Sequence, residues 1–535
     1  MPSQAKPSQA KPSQAKPSQA KPSQAKLTYQ LDKNQLYYGD NLDILRNKID
    51  AESIDLCYID PPFNSKRTYF QIYNNQGSED RAQAQAFEDT WEWGDEAIAG
   101  FAYILDVSNL NNSKLMPQTV ALIRGLHEVL GEGSLFAYLV HMALRVVEIH
   151  RVLKPTGSFY LHCDPTASHY LKLICDSVFC AGGNGGDFIN EIVWHYRRWT
   201  GKAKKFQKLH DTILLYVKSK DSYTFNPLYI EYTEGSKDRK LQGVLHRFKD
   251  GEEPYLVSDG EIDEKGVRDN DVWQIPFIAP SAKERLGYPT QKPEKLLEKV
   301  IQASSNEGDV ILDAYCGCGT TVAVAQKLKR QWIGIDITYQ SISLILKRLE
   351  DSYPSEWADI ESNIYLDGVP KDINSAIALA NRKDDKTRKE FEKWAVLTYS
   401  KNQARINDKK GADGGIDGVT YFLISNTENG KAIFQVKSGG ANRSTIATLN
   451  SDRQREKAEF GILITMDKPT ASMLKEVVAV GKYKHPLLNR EDDRIQIITI
   501  ENILEGNRID LPMARVDIVK SAEEVVDDKR QQSLI

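Results

Sequence analysis

Residues 309–337, "DVILDAYCGCGTTVAVAQKLKRQWIGIDI", restrict the fold more than any other stretch of the chain. An apolar run ends at Asp313, glycines follow at 317 and 319, and a helical pattern begins near Thr320. A second apolar run, "WIGID", ends at Asp336, 23 residues after Asp313. Two strands joined through a helix must lie parallel, so this is one turn of an α/β fold. Glycines let a backbone approach a ligand closely, and an acid closing the second strand suits two ribose hydroxyls. The pattern fits a nucleoside-containing cofactor at the carboxyl ends of a parallel sheet. NAD is one candidate, but the third glycine of its fingerprint falls on Val322. No GxxxxGK[ST] loop occurs, so the chain carries no ATP-driven motor.

The same rhythm runs through the front of the chain. "SIDLCYID" reads as a buried strand, "SLFAYLVHMALRVVEIHRVL" as a helix, and "GSFYLHCD" as a strand after a turn at Pro155, Thr156 and Gly157. Residues 195–285 are polar and irregular, 351–385 connect, a third unit spans 386–515, and 516–535 form a charged tail. A chain of 535 residues suggests about three or four such units. Residues 1–26 are Met1 and five copies of PSQAK, a Pro-rich leader expected to be disordered. No apolar stretch approaches a membrane span, no secretory signal opens the chain, and six scattered cysteines form no zinc or disulfide framework. A reducing cytoplasm, with nucleoid association, is the expected location. The net charge of −4 becomes −9 without the five leader lysines, so contact with nucleic acid would need a local basic patch.

One such patch is "HYRRWTGKAKKFQKLH", residues 195–210, with Arg197, Arg198, Lys202, Lys204, Lys205 and Lys208 and no acid. Tyr196, Trp199 and Phe206 are interleaved, giving cations for phosphates and rings for bases. A solvated basic loop is the plainer reading.

"DPPF", at Asp60, Pro61, Pro62 and Phe63, ends the buried strand with an acidic, rigid, aromatic corner. An exocyclic amino group on a base is a poor nucleophile. Methylating it from a sulfonium needs acceptors aimed at its N–H bonds as charge develops on nitrogen. The Asp60 carboxylate and the Pro61 carbonyl supply two, the prolines hold that carbonyl rigidly, and Phe63 offers a stacking face for an extruded base. A strand-ending turn explains the same four residues taken alone.

"DPPF" with "LDAYCGCGTT" resembles the amino-methyltransferases of DNA that use S-adenosylmethionine. The catalytic corner precedes the cofactor loop by about 255 residues, and "YPTQKP" (288–293) stands just before that loop, as in the β class. "YYGDNLDIL" and "FEDTWEW" are similar to further stretches of that family. The resemblance covers roughly residues 27–350 and implies a Rossmann-like domain with target recognition at about 195–285. It makes Asp60, Pro61, Pro62 and Phe63 catalytic. Asp313, Gly317, Gly319 and Asp336 would bind S-adenosylmethionine, joined by Asp40 and Thr290. A leading aspartate in the motif goes more often with N6 of adenine than with N4 of cytosine. The basic patch, with Arg197, Arg198, Trp199, Lys202, Lys204 and Lys205, would contact DNA.

In the third unit, "FEKWAVLTYSKNQ" reads as an amphipathic helix, and "GIDGVTYFLISNTENGKAIFQVKSGG" as a hairpin with Gly430 in its turn. Gln435 and Lys437, two apart, share a strand face, and Asp417 enters the first strand. An acid, a second oxygen ligand and a lysine suit phosphodiester hydrolysis by a metal-bound water. The unit resembles PD-(D/E)XK nucleases, nearest the Mrr-like branch. That resemblance implies Mg²⁺ at Asp417 and Gln435, with Glu392 a further ligand and Lys437 catalytic. Gln435 stands where many relatives carry a carboxylate, so the metal would be held more weakly. An ordinary hairpin with an amphipathic strand accounts for the same pattern.

The chain is therefore expected to be an α/β methyltransferase joined to an α/β restriction-endonuclease-like domain, marking adenine and cutting unmarked double-stranded DNA. A modification enzyme whose last domain only grips DNA or a partner is the alternative. A non-catalytic DNA-binding or methylation-sensing protein is a third, and RNA is a less favoured substrate. Whether a helicase or restriction subunit, or a second copy of the chain, takes part stays open.

Overall fold

The computed structural model describes residues 33–62, 67–72, 83–89, 91–111, 115–183, 185–197, 204, 206–232, 244–246, 255–257, 266–279, 281–286, 288, 290–381, 385–407, 415–424, 428–486 and 488–511. The PSQAK leader and the charged tail lie outside them.

A nine-stranded sheet organises the front of the chain. Its strands are β1 (Asn34–Tyr38), β2 (Ile54–Ile59), β3 (Leu153–Cys163), β4 (Asp187–His195), β5 (His210–Val217), β6 (Val272–Gln274), β7 (Val310–Asp313), β8 (Gln331–Asp336) and β9 (Ile364–Asp367). They lie in the order β6-β4-β5-β3-β2-β7-β8-β1-β9, all parallel except β5, which is antiparallel to both neighbours. Every residue of β2 is buried. Its alternating side chains feed two cores, Leu56 and Tyr58 into one and Cys57 and Ile59 into the other. Helix α2 (Ser134–Val152) covers one face; helices α3 (Glu294–Ser304), α4 (Thr320–Lys327) and α5 (Tyr339–Ser352) cover the other. The chain leaves β2 toward β3 on one side and leaves β7 toward β8 on the other. The crevice for a ligand therefore opens at the carboxyl ends of β2 and β7.

Four expectations are corrected here. The Pro155–Thr156–Gly157 turn is a bulge inside β3, where pairing with β2 jumps from Ile54↔Leu153 to Leu56↔Ser158. A Gly157 Cβ would meet the Lys154 and Ile54 carbonyl oxygens at 2.9 and 3.0 Å, so the chain folds back tightly on the neighbouring strand. The irregular stretch 195–285 contains β5 and β6, which complete the central sheet. Residues 351–385 are no plain connector, because β9 pairs with β1 and the helix Ile373–Ala380 buries Ala376 and Leu379. β6 and β9 are too short to show as patterns, and the place of β5 inside the sheet follows only from its pairing with β3 and β4. Finally, Gly430 lies in a strand opposite Phe422, where a Cβ would meet that ring at 2.3 Å.

The back of the chain builds a second sheet from β10 (Arg405–Ile406), β11 (Gly418–Leu423), β12 (Asn429–Lys437), β13 (Phe460–Thr465) and β14 (Ile495–Thr499), in that order. The first three are antiparallel and the last three parallel. Helices α7 (Arg443–Arg455) and α8 (Ala471–Val480) bury Ile446, Leu449, Met473 and Val477 against one face. Helix α6 (Asp385–Tyr399) packs on the other face with Phe391, Trp394 and Val396. That core is continuous with Tyr339, Ile342 and Leu349 of α5. Glu390 accepts from the Tyr339 N–H at 2.8 Å, and the Tyr339 hydroxyl meets Thr398 at 2.9 Å. The two sheets thus share packed surface rather than a tether. Among the described residues no helix is long and apolar enough to cross a membrane.

Candidate functional site

Asp60, Asp313, Asp336 and Asp40 follow or close β2, β7, β8 and β1, four adjacent strands, so the sheet brings all four to one edge. The loop after β7 is shaped by its glycines. Gly317 (φ 48°) donates to Asp336 Oδ2 at 2.9 Å, while Asp336 Oδ1 accepts from Thr338 N–H at 2.9 Å. Gly319 (φ 72°) opens α4, and a Cβ there would lie 2.5 Å from Ile345 Cγ1. Gly319→Ala is therefore expected to cost about 1–3 kcal/mol of stability, read from denaturant unfolding. An unchanged midpoint would mean that the loop relaxes without strain.

Asp313 accepts from Thr321 Oγ1 at 2.6 Å and Tyr315 N–H at 3.0 Å. Burial nevertheless pushes its carboxyl up to about 7, aided by the nearby charges of Asp60 and Asp336. Burial also raises Asp336, to about 6. A carboxyl raised above its unfolded value holds its proton longer in the native state, so ionising it opposes folding. Stability is then expected to fall as pH rises from about 4 to about 7, and Asp313→Asn to flatten part of that slope. Thermal midpoints across pH measure this; an unaltered slope in the variant would remove Asp313 as its source.

Asp40 caps α1 (Asn41–Lys48), accepting from Leu42 and Asp43 N–H, and its other oxygen pairs with buried Arg145 at 2.8 Å. Asn41 donates to the Ala314 carbonyl at 2.8 Å, tying α1 to the glycine loop. His141, against Trp91, reaches the Tyr315 hydroxyl at 2.7 Å; burial and Arg145 lower its basicity to about 4. Loop glycines and a strand-end acid at Asp336 are groups that can hold a nucleoside.

At the corner after β2 Pro61 is buried and Pro62 half-buried, while Phe63 lies outside the described residues. Asp60 Oδ2 pairs with Lys292, a buried ammonium from "YPTQKP". Among the described residues Asp60 Oδ1 is buried without a hydrogen-bond partner. "YPTQKP" thus joins cofactor loop and corner, since its Tyr288 ring also covers Gly317. Thr290 is exposed with φ 62°, and its carbonyl takes the Lys292 ammonium at 3.4 Å. Sequence reasoning missed Lys292, although the motif was in view, and missed His162, Asp211 and Arg145, which gave no pattern of their own.

Of the basic patch, Arg197 and Lys204 are exposed, whereas Arg198, Trp199, Lys202 and Lys205 lie outside the described residues. Phe206 is fully exposed. Tyr196 is not a contact ring: it is buried, packs on Phe277 with centroids 4.1 Å apart, and donates to Asp211 at 3.0 Å.

In the second domain Asp417 stands just before β11, with Oδ2 accepting from Val436 N–H at 2.6 Å. Glu392 and Asp417 line one small polar cavity with Lys389, Lys393 and Asn407. Gln435 Nε2 donates to the Gly415 carbonyl, and among the described residues its Oε1 is buried without a hydrogen-bond partner. Asp417 and Glu392 bring to the cavity oxygens of the kind a hard cation takes, beside the cationic Lys389 and Lys393, and Gln435 is not among its lining residues. Lys437, two residues on, is exposed. Among the described residues no three His, Cys, Asp or Glu side chains converge as a metal cluster.

Among solved structures the chain is similar to the PvuII cytosine-N4-specific DNA methyltransferase, at 14% identity and TM-score 0.36, over 62% of this chain and 95% of that one. The M1.HpyAVI–SAM complex gives 16% identity and TM-score 0.31, over 59% and 98%. Type II methyltransferase M.HpaI of Haemophilus parainfluenzae is 32% identical over 38% of this chain and 57% of its own length. DNA adenine methyltransferase YhdJ of Escherichia coli is 29% identical over 59% of this chain and 82% of its own. The chain thus spans little more than half of the first relative and most of the second. Residues 384–492 match the family model described as restriction endonuclease. Residues 54–347 match the one described as DNA methylase. That match holds Asp60, the glycine loop and Asp336, and it runs over more than half of the chain: the protein belongs to the DNA methylase family.

Proposed function

We propose that the protein is a site-specific DNA methyltransferase that passes a methyl group from S-adenosylmethionine to N6 of adenine. One observation carries the reading: Asp60 Oδ1, buried and without a hydrogen-bond partner among the described residues, lies at the crevice beside the cofactor loop. A buried carboxylate oxygen without a donor is costly, and an amino N–H from an extruded base satisfies it. Pro61 presents its carbonyl to the second N–H. Asp313, Gly317, Gly319 and Asp336, with Asp40 and Thr290, hold the cofactor, which supplies the electrophilic methyl group. Arg197, Arg198, Trp199, Lys202, Lys204 and Lys205 grip the DNA.

The second domain, in this reading, cleaves DNA that lacks the mark, with Asp417, Gln435 and Glu392 holding Mg²⁺ and Lys437 stabilising charge on the phosphate. The bound cation would polarise the phosphate and make its water a stronger nucleophile. Gln435 in place of a carboxylate favours a second reading, a domain that binds DNA without cutting. N4 of cytosine fits the same corner and is the alternative target. The site of action is the cytoplasm, on the nucleoid.

Purified protein incubated with unmethylated plasmid, Mg²⁺ and S-adenosylmethionine tests all of this. New N6-methyladenine supports the first activity, and N4-methylcytosine redirects it. No methyl transfer to DNA, with cofactor still bound, overturns it in favour of a sensing protein. Breaks without added nucleotide or second protein support a self-sufficient nuclease. Intact DNA under those conditions favours the gripping domain or dependence on a helicase subunit.

A further inference from the structure

Behind Asp60 lies a polar chain that neither the motifs nor the family matches assign. His162, on β3, is fully buried. Its Nδ1 lies 3.9 Å from the unpartnered Asp60 Oδ1 and 2.8 Å from the Tyr58 hydroxyl. Its Nε2 lies 3.3 Å from Asp211 Oδ2, and Asp211 Oδ1 accepts from Tyr196 at 3.0 Å. A carboxylate only accepts, so Asp211 places the imidazole proton on Nε2 and leaves Nδ1 with its lone pair. Tyr58 donates to that lone pair; burial and the charge of Asp60 keep its phenol protonated. Asp211 is held below the usual carboxylate range by His162, Lys292 and Tyr196, which outweigh its burial. Trp194 packs edge-on over the ring, with centroids 5.5 Å apart. The Nδ1 lone pair thus meets the Tyr58 hydroxyl with the Asp60 carboxylate as its next polar neighbour, so the buried ring links Asp60 to Asp211 rather than only packing.

We propose that His162 is the terminal proton acceptor of methyl transfer, acting through Asp60 and tuned by Asp211. The inference rests on Asp60 being the acceptor for the target amino group. As the N–C bond forms and the sulfonium C–S bond breaks, the sulfonium becomes a neutral thioether. The positive charge moves to the target nitrogen, which then holds one proton more than the amine product. That proton passes to Asp60 Oδ1 and on to His162 Nδ1, while the Tyr58 hydroxyl swings from donor to acceptor. The imidazolium then lies between the carboxylates of Asp60 and Asp211. Asp60 returns to its charged, unpartnered state, paired with Lys292 at Oδ2. The 3.9 Å gap of the free protein closes by rotation of the Asp60 carboxyl once a base is seated.

His162 so used is a positioning residue for the charge state of Asp60, and its signature is a pH profile. In the full chain, wild-type turnover of DNA methylation should fall on the acid side, where His162 already carries the proton. His162→Asn should lower kcat about 10²-fold and lose that acid limb, with DNA and cofactor affinities within about twofold. Asp211→Asn, which keeps the shape, should move the limb to lower pH, because the imidazolium loses one of its two carboxylate neighbours. Thermal unfolding and calorimetric titration with S-adenosylmethionine report whether each variant is folded. A folded His162→Asn protein with the wild-type rate and acid limb overturns the inference, as does an Asp211→Asn limb that stays in place. If His162→Asn does not fold, the Asp211→Asn profile decides alone. An active Asp60→Asn protein instead overturns the assignment of Asp60 itself.

Discussion

Asp60→Ala is expected to lower methyl transfer to DNA about 10²- to 10³-fold or more while leaving DNA hydrolysis at the wild-type rate. In the proposed reaction the carboxylate is the charged acceptor at the site where positive charge develops, and among the described residues its Oδ1 is buried without a hydrogen-bond partner. Ala also removes the carboxylate beside the buried Lys292 ammonium and turns the local field against a cationic nitrogen. Asp60→Asn separates these effects, since it keeps the volume and removes only the charge. Both variants should still bind S-adenosylmethionine, because Asp313 and Asp336 reach the loop through their own bonds. Tritiated-methyl transfer to plasmid, beside calorimetric cofactor binding, makes the measurement. Wild-type transfer by either variant would falsify the assignment of the corner.

Lys437→Ala is expected to do the reverse, abolishing Mg²⁺-dependent breaks and sparing methylation. Lys437 shares its strand face with Gln435, whose Oε1 has no hydrogen-bond partner among the described residues, and the intervening Val436 N–H is bonded to Asp417. In the proposed cleavage this lysine stabilises charge that builds on the phosphate only in the transition state, so its loss should appear in the rate and little in DNA affinity. Lys437 is exposed, so the substitution leaves no cavity and the fold should stand. Plasmid nicking followed by gel, with filter binding as control, reads the outcome. Equal cutting by variant and wild type would sink the hydrolytic assignment.

The two variants are separable even though the domains share a core. Helix α6 turns Phe391 and Trp394 toward α5 of the methylase half, and Glu392 toward the cavity with Asp417. Each site is still built on its own sheet.

Local pattern sufficed for much of this. The order of "DPPF", "YPTQKP" and the glycine loop determined the family resemblance, the parallel sheet and the placing of Asp60, Asp313 and Asp336 at strand ends, because strand-end acids and loop glycines are features of consecutive residues. The hairpin with Asp417, Gln435 and Lys437 was legible for the same reason, an alternation of period two. Only the tertiary structure decided that 364–367 closes the sheet, that 210–217 runs inside it and not in a recognition loop, and that Tyr196 faces inward. Only it joined Lys292 to Asp60 across 232 residues, and Asp60 to His162 and Asp211. Such contacts depend on which strands become neighbours, and strand order follows from burial of whole faces, a property that no window of consecutive residues contains.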